Sequence, residues 1–190
     1  MHLPGPFREH EGAVRGVVGI QNSDRIGVQM GSALGGSANA EVQAGTLYGG
    51  DLRGVDPRVA LTTFVGAASC SVAIEFGFTG PNSTNAMSCA SGTIAIGDGF
   101  RLIREGSADV AIVGGIEAPL APLCFGAFSL IRAMSTRNAD PEQACRPFDG
   151  SRDGFIMGEG ACALVLERWD HAVSRGARIY AEVAGYGTTN

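Results

Sequence analysis

An α/β fold built on a mostly parallel sheet is predicted for this 190-residue chain, and three stretches predict it. RIGVQMGSALGG, residues 25–36, reads as a strand running into a glycine-rich loop that opens a helix. ADVAIVGG, residues 108–115, is a continuous apolar run bounded by glycine, the pattern of a strand covered on both faces of a parallel sheet. Between them NSTNAMSCASGTIAIGDGF, residues 82–100, reads as strand, turn and helix, so 82–115 forms a βαβ unit whose crossover is expected to be right-handed.

The elements follow in order. Residues 1–24 are weakly patterned, and residues 25–190 form the folded body. Arg25 to Met30 is the first strand, Gly31 to Gly36 the loop, and Ser37 to Leu47 a helix. Gly49, Gly50, Gly54 and Pro57 mark a turn. VALTTFVGAASCSVAIEFG, from Val59, is apolar nearly all round, which predicts a fully buried helix stopped at Gly77. Asn82 to Met87 is expected as a buried strand, followed by the Cys89 turn and a helix to about Glu105 closed by Gly106. After the 108–115 strand, Pro119 and Pro122 interrupt, and LCFGAFSLIRAMS makes a short helix. Residues 135–154 are polar and turn-rich, a surface loop. A strand at Ala161 to Glu167, a helix to Arg175 and a closing strand from Ile179 complete the chain.

Composition narrows the chemistry. With 45% hydrophobic residues the chain is long enough to bury one large core, and two independent domains are not expected. All 14 basic residues are arginine, which excludes a lysine Schiff base, a lysine general base and a Walker-type phosphate contact from this chain. A net charge of -5 leaves no electrostatic footprint for nucleic acid. The five cysteines, at 70, 89, 124, 145 and 162, make no C-x-x-C pair, so neither a metal site nor a disulfide framework is expected. No secretory signal opens the chain, and its uncharged runs are too short or too broken by Pro81, Asn82 and Ser83 for a membrane span. A cytoplasmic protein is expected.

Cys89 is the candidate nucleophile. It stands between a strand and a helix rich in small residues, Gly92, Ala95, Gly97 and Gly99. A thiol at a helix start faces unpaired backbone N–H groups and the positive end of the helix dipole, both of which favour an anion there. The same N–H groups can stabilise an oxyanion, much as at a strand-to-helix nucleophile elbow. The competing reading is an inert packed thiol, since free cysteine is among the most buried residue types.

Five blocks together resemble the β-ketoacyl-acyl carrier protein synthases of the condensing-enzyme family, most like the elongating type of fatty-acid and polyketide synthesis. They are GSALGG (31–36), GPNSTNAMSCASG (80–92), SADVAIVGGIEAP (107–119), IRAMSTRN (131–138) and CRPFDGSRDGFIMGEGACALVLE (145–167). The resemblance implies the thiolase-like fold, two βαβαβ halves stacked into a five-layered αβαβα structure, of which this chain carries most of the N-terminal half. It implies that Cys89 accepts an acyl group from a carrier thioester, its own N–H helping to form the oxyanion hole. Leu34, Phe128 and Phe155 fall where the family lines its acyl pocket, with ordinary core packing the competing reading for each. Arg132 matches a position at the carrier-docking mouth, and Arg53 and Arg58 would widen that patch; a solvated surface charge is the alternative.

The resemblance implies no cofactor and no metal. The implied partners are acyl- and malonyl-loaded acyl carrier protein and a second ketosynthase subunit, as homodimer or heterodimer. The family's two catalytic histidines, a supporting lysine and a G-F-G-G gate belong to its second half, and none is found up to Asn190. His2, His10 and His171 match no family catalytic position, and His171, in ERWDHAVSRG, is expected to be solvated on a charged helix face. The chain is therefore expected to be an internal piece of a ketosynthase roughly twice its length, inactive in isolation. Competing readings are a thiolase, a chain-initiating or chalcone-type synthase, a chain-length-factor subunit, which usually lacks the cysteine, and a cysteine hydrolase, which would need a base beside the thiol.

Overall fold

The computed structural model describes residues 22–189. The described residues divide into two compact units: one takes 22–33, Val65–Ile116 and 161–189; the other takes Leu34–Phe64 and Glu117–Gly160.

The first unit holds a sheet of four strands, β1 (Ile26–Gly31), β2 (Asn82–Asn85), β3 (Val110–Glu117) and β4 (Gly160–Glu167), in the order β2-β1-β3-β4. β1 runs parallel to both neighbours, Val28 lying opposite Asn82 on one side and Ile112 on the other. Every residue of β1 is buried, Gln29 included, as is Val110 to Gly114 of β3, the burial predicted for the continuous apolar run of β3. Of the helices, α1 is Ser37–Tyr48, α2 Val59–Thr62, α3 Ala67–Phe76, α4 Ser91–Arg104, α5 Pro122–Leu130 and α6 Trp169–Ser174.

Side chains alternate across a sheet, and this alternation assigns the two faces. Ile26, Val28, Met30, Val110 and Ile112 form one core with Ala73 and Phe78, onto which Ala68, Val72 and Phe76 of α3 pack. The intervening residues face α4: a side chain at Gly27 would touch Leu102, and one at Gly99 would meet Val113 and Ala111. The closest approach is at the end of β1, where a Cβ on Gly31 would overlap the carbonyl of Ser91. α3 stops where the sequence places its stop: Gly77, at φ 69°, takes the left-handed conformation and donates its N–H to the carbonyl of Ala73.

One ion pair ties the strand starts. Arg25 donates Nε to Asp109 Oδ2 at 3.0 Å and a second nitrogen to Oδ1 at 3.2 Å, and reaches the carbonyls of Gly106 and Ser107. Arg168, just past β4, joins the same carboxylate at 2.9 Å. The Arg25 guanidinium holds the Asp109 carboxyl below the ordinary carboxylate range; partial burial opposes this without reversing it.

In the second unit, Glu41 of α1 accepts the N–H of Leu123 at 2.7 Å, covering an unpaired donor in the first turn of α5. Pro122 opens that helix, where the missing N–H costs nothing. Asn39 of α1 donates to Thr62 at the end of α2, and Gln43 accepts the N–H of Asp56.

Four expectations are corrected. The buried helix over Val59–Phe76 is two helices, with Thr62 and Thr63 donating their hydroxyls back to the carbonyls of Arg58 and Val59 and Gly66 capping the second. Such back-bonding loosens a helix, and an apolar circumference proves no guide to burial: Leu61, Phe64 and Ile74 are all exposed. The strand expected over Asn82 to Met87 ends at Asn85 and is exposed or half-buried, because β2 is the sheet edge and its NSTN side chains are polar. No strand follows Ile179 up to Thr189. His171 is buried, not solvated: Nδ1 lies 2.8 Å from Glu167 Oε2, and Arg175 donates Nε to the same carboxylate at 2.9 Å. The turn from β4 into α6 folds the Glu167 and His171 side of the helix inward while Asp170 and Arg168 pair outside.

Gly31→Val is expected to lower the thermal unfolding midpoint in calorimetry, at an overpacking cost on the order of 1–3 kcal/mol. Gly45→Ala in α1, where an added methyl meets open space, is expected to be neutral or mildly stabilising. Because Asp109 ionises below its unfolded value, its pairing stabilises the fold above the unfolded carboxylate range near about pH 4 and is lost as pH falls through the folded value. Urea midpoints measured from pH 7 downward should therefore drop in the acid limb, and Asp109→Asn should start lower at pH 7 with a shallower acid dependence.

Candidate active site

The thiol turn is built on the C-terminal ends of β1, β2 and β3. After β2 the chain makes one 3-10 turn, Ser88–Ala90, in which Ala90 donates its N–H to Met87 O at 3.2 Å, and α4 begins at Ser91. Ser88 sits at φ 51°, a left-handed conformation that costs a non-glycine residue on the order of 1–3 kcal/mol. That backbone reversal presents Cys89 to solvent, while Ser91 immediately after it is buried. The N-cap residue of the 14-residue α4 is Ala90, which makes no side-chain cap at the N–H end beside Cys89. The arrangement offers an exposed thiol next to main-chain donors, the parts needed for nucleophilic acyl transfer. His171, the single histidine among the described residues, is committed to Glu167.

The other expected site residues lie in the second unit. Leu34 is half-buried, donates its N–H to Glu117 Oε1 at 3.2 Å, and lines a largely apolar groove of about 720 Å³ with Ala40, Ala44, Tyr48, Leu123 and Ala127. Phe128 and Phe155 meet edge to face, ring centroids 5.6 Å apart. The structure brings the two phenylalanines together, and neither ring is part of the groove lining that includes Leu34. Arg132 is exposed, at φ 57°, and borders a cavity of about 390 Å³ with Ser129, Thr136, Asn138 and Asp153. Arg58 is engaged by Asp56, 2.7 Å from one guanidinium nitrogen, and the pair holds the Asp56 carboxyl below its ordinary range. Arg53 is exposed in the turn Leu52–Gly54.

Residues 12–172 match the family described as Beta-ketoacyl synthase, N-terminal domain. The chain belongs to this family. Over 167 residues it is 46% identical to a 3-oxoacyl-[acyl-carrier-protein] synthase 2 of Staphylococcus aureus, a match covering 88% of this chain and 41% of that protein. Among solved structures it is similar to a type II polyketide synthase acyl-carrier protein in complex with its ketosynthase bound to the hexaketide, with TM-score 0.81, 35% identity and coverage of 87% of this chain and 42% of the other. The ishigamide ketosynthase/chain length factor matches with TM-score 0.76 and 34% identity over 86% of this chain and 39% of that one. The chain thus spans about two-fifths of the length of the curated relatives it matches. These neighbours share the α/β fold found here, and no helix among the described residues is long and apolar enough to cross a membrane.

In this ketosynthase domain the block at 131–138 is bonded to the first part of the next block, residues 146–155. Met134 and Phe155 form a parallel bridge, with Ser135 N–H on Phe155 O at 3.0 Å and Phe155 N–H on Ala133 O at 3.1 Å. Asp153 clamps the two segments, accepting Ser135 Oγ at 2.7 Å, Thr136 N–H at 3.1 Å and Arg146 at 3.0 Å. The Ser135 hydroxyl, more than any other contact, holds the Asp153 carboxyl below its ordinary range. Asp153 and Asn85 were both missed by sequence reasoning: Asp153 lies in what reads as a generic loop, and Asn85 reads as an ordinary strand residue. The available signal for Asn85 was its type, since asparagine at a strand end commonly bonds the backbone of the following turn.

Removing the clamp with Asp153→Ala should leave the melting transition of the core sheet nearly unchanged while tryptic cleavage after Arg146 and Arg152 quickens, a difference readable by timed digestion and mass spectrometry.

Proposed function

We propose that this chain is the N-terminal domain, residues 25–190, of an elongating 3-oxoacyl-[acyl-carrier-protein] synthase, and that Cys89 is its acyl-accepting nucleophile. The single observation that carries the reading is the exposed Cys89 on a left-handed-entry turn at the uncapped start of α4, in a chain of the β-ketoacyl synthase family. The Cys89 thiolate attacks the carbonyl of an acyl-carrier thioester, the new S–C bond forming as the old one breaks and the carrier thiolate leaves. Backbone N–H groups at the turn hold the oxyanion, a contribution of typically about 3–4 kcal/mol per donor in such sites. In the whole enzyme, malonyl-carrier then loses CO2, the resulting carbanion attacks the acyl carbonyl, and the Cys89 thiolate is regenerated as the chain grows by two carbons. Fatty-acid and polyketide synthesis both use this step.

The acyl chain would lie against Leu34, Phe128 and Phe155, and Arg132, with Arg53 and Arg58, would receive the acidic carrier or its phosphodiester. The whole enzyme would act in the cytoplasm as a homodimer or as a heterodimer with a second ketosynthase-like subunit. The polyketide neighbour captured with its acyl-carrier protein supports a carrier as partner.

Incubation of the 190-residue chain with an acyl thioester should deposit a slow, hydroxylamine-labile adduct on the peptide bearing Cys89, absent in Cys89→Ala. Iodoacetamide should likewise label Cys89 ahead of Cys70, Cys124, Cys145 and Cys162. Equal labelling of all five thiols, or an adduct that survives Cys89→Ala, would sink the nucleophile assignment; carrier binding without any Cys89 adduct would favour a non-catalytic chain-length-factor role.

A further inference from the structure

Asn85 closes β2, half-buried, and its carboxamide grips the backbone on both sides of the thiol turn. Nδ2 donates to Ser91 O at 3.0 Å, two residues after Cys89, and reaches Met30 O at 3.4 Å at the end of β1. Oδ1 accepts the N–H of Met87 at 3.3 Å, two residues before Cys89. The Asn85 carbonyl in turn accepts Ser32 N–H at 3.1 Å, continuing the β1 pairing beyond Gly31. Two carbonyls on one side and an N–H on the other satisfy the amide in only one orientation, so the group is fully specified by its surroundings.

The turn has few other anchors. Met87, Ser88, Cys89 and Ala90 are all exposed, so no buried side chain holds the turn in place. Ser88 is left-handed without being glycine, a conformation that persists only where neighbours over-determine it. Asn85 brackets that residue, holding its entrance through Met87 and its exit through Ser91. An aliphatic residue in its place would supply none of these three bonds.

We propose that Asn85 is a positioning residue for Cys89: its carboxamide fixes the left-handed turn that aims the thiol at the first amides of α4. This deepens the acyltransferase reading and rests on it for its catalytic meaning. Asn85→Leu removes all three bonds while keeping the same number of side-chain heavy atoms. Asn85→Asp keeps the acceptor toward Met87 and turns a carboxylate toward the carbonyls of Ser91 and Met30.

In the full 190-residue chain, both substitutions are expected to slow iodoacetamide alkylation of Cys89 at pH 7 by about tenfold or more, since small misplacements of a reacting group are costly. Alkylation of Cys145 and Cys162 should stay at the wild-type rate, and Cys124, partly covered in α5, should not become faster. With an acyl thioester, the maximal rate of Cys89 acylation should fall while the half-saturating concentration holds. If Asn85→Leu unfolds, signalled by faster Cys124 labelling, the Asn85→Asp chain decides. Wild-type alkylation of Cys89 in a folded variant, or a change shared by all five thiols, overturns the proposal. Alkylation requires no acyl donor, so the two readings fail separately: Asn85-dependent alkylation without any acyl adduct sinks the acyltransferase reading alone, and acylation indifferent to Asn85 sinks this one alone.

Discussion

The end of β1 lies against the start of α4 with no side chain between them, and the thiol turn is possible because of that contact. Gly31 presses on the Ser91 carbonyl, and Gly115 of β3 approaches Gly92 so closely that a Cβ at either would touch the other's backbone. Main chain on main chain leaves no room for a rotamer to adjust, so the helix start is located by the sheet to within the tolerance of the backbone itself. Cys89 sits two residues before that fixed point, after a left-handed Ser88, and inherits its position. A larger residue at Gly31 would move the helix, and with it the donors beside the thiol.

Polar contacts then hold the ends of elements that apolar burial leaves free. The core of β1, β3 and α3 is aliphatic and specifies which faces meet; it does not specify how the strands end. At the N-terminal ends Arg25 binds Asp109 through two nitrogens and Arg168 joins them, a partly covered cluster worth more than an exposed pair because its geometry is bidentate. At the other end Asn85 plays the neutral counterpart of this role across Met30, Met87 and Ser91. Between β1 and β2, Ser83 donates to Gln29, a buried amide that would be costly unpartnered. In the second unit Asp153 does the same for two loops that carry no regular structure.

Much of the first unit was legible because its strands are read by composition. β3 is an apolar run closed by glycine, β1 runs into a glycine-rich loop, and the βαβ pattern over 82–115 marks the sheet as parallel. Gly77 and the start of α4 at Ser91 were equally plain, one from left-handed geometry and one from the change to small helical residues. Two of the errors concern neighbours read in place of packing: apolar content was taken as burial over Val59–Phe76, and charged flanks were taken as exposure at His171. Val59–Phe76 is apolar but contains two threonines and Gly66 that split it, and much of it faces outward; His171 is flanked by charge but turns inward onto Glu167. Burial depends on which face meets a neighbour, and a short helix offers too few turns for its period to declare that face.

By itself the sequence determined the α/β class, the order of the elements, the family, and the one cysteine placed between strand and helix, because each rests on local composition, spacing or motif. Only the tertiary structure decided that Ser88 turns left-handed, that Asn85 spans the turn from strand to helix, that Phe155 is bridged to Met134 and meets Phe128, and that Leu34 lines an apolar groove. Those contacts join residues 6 to 27 places apart through hydrogen bonds and ring contacts, on the order of a few kcal/mol each at most. Energies of that size leave no local pattern in a sequence, and they exist only once the larger burial term has brought the segments together.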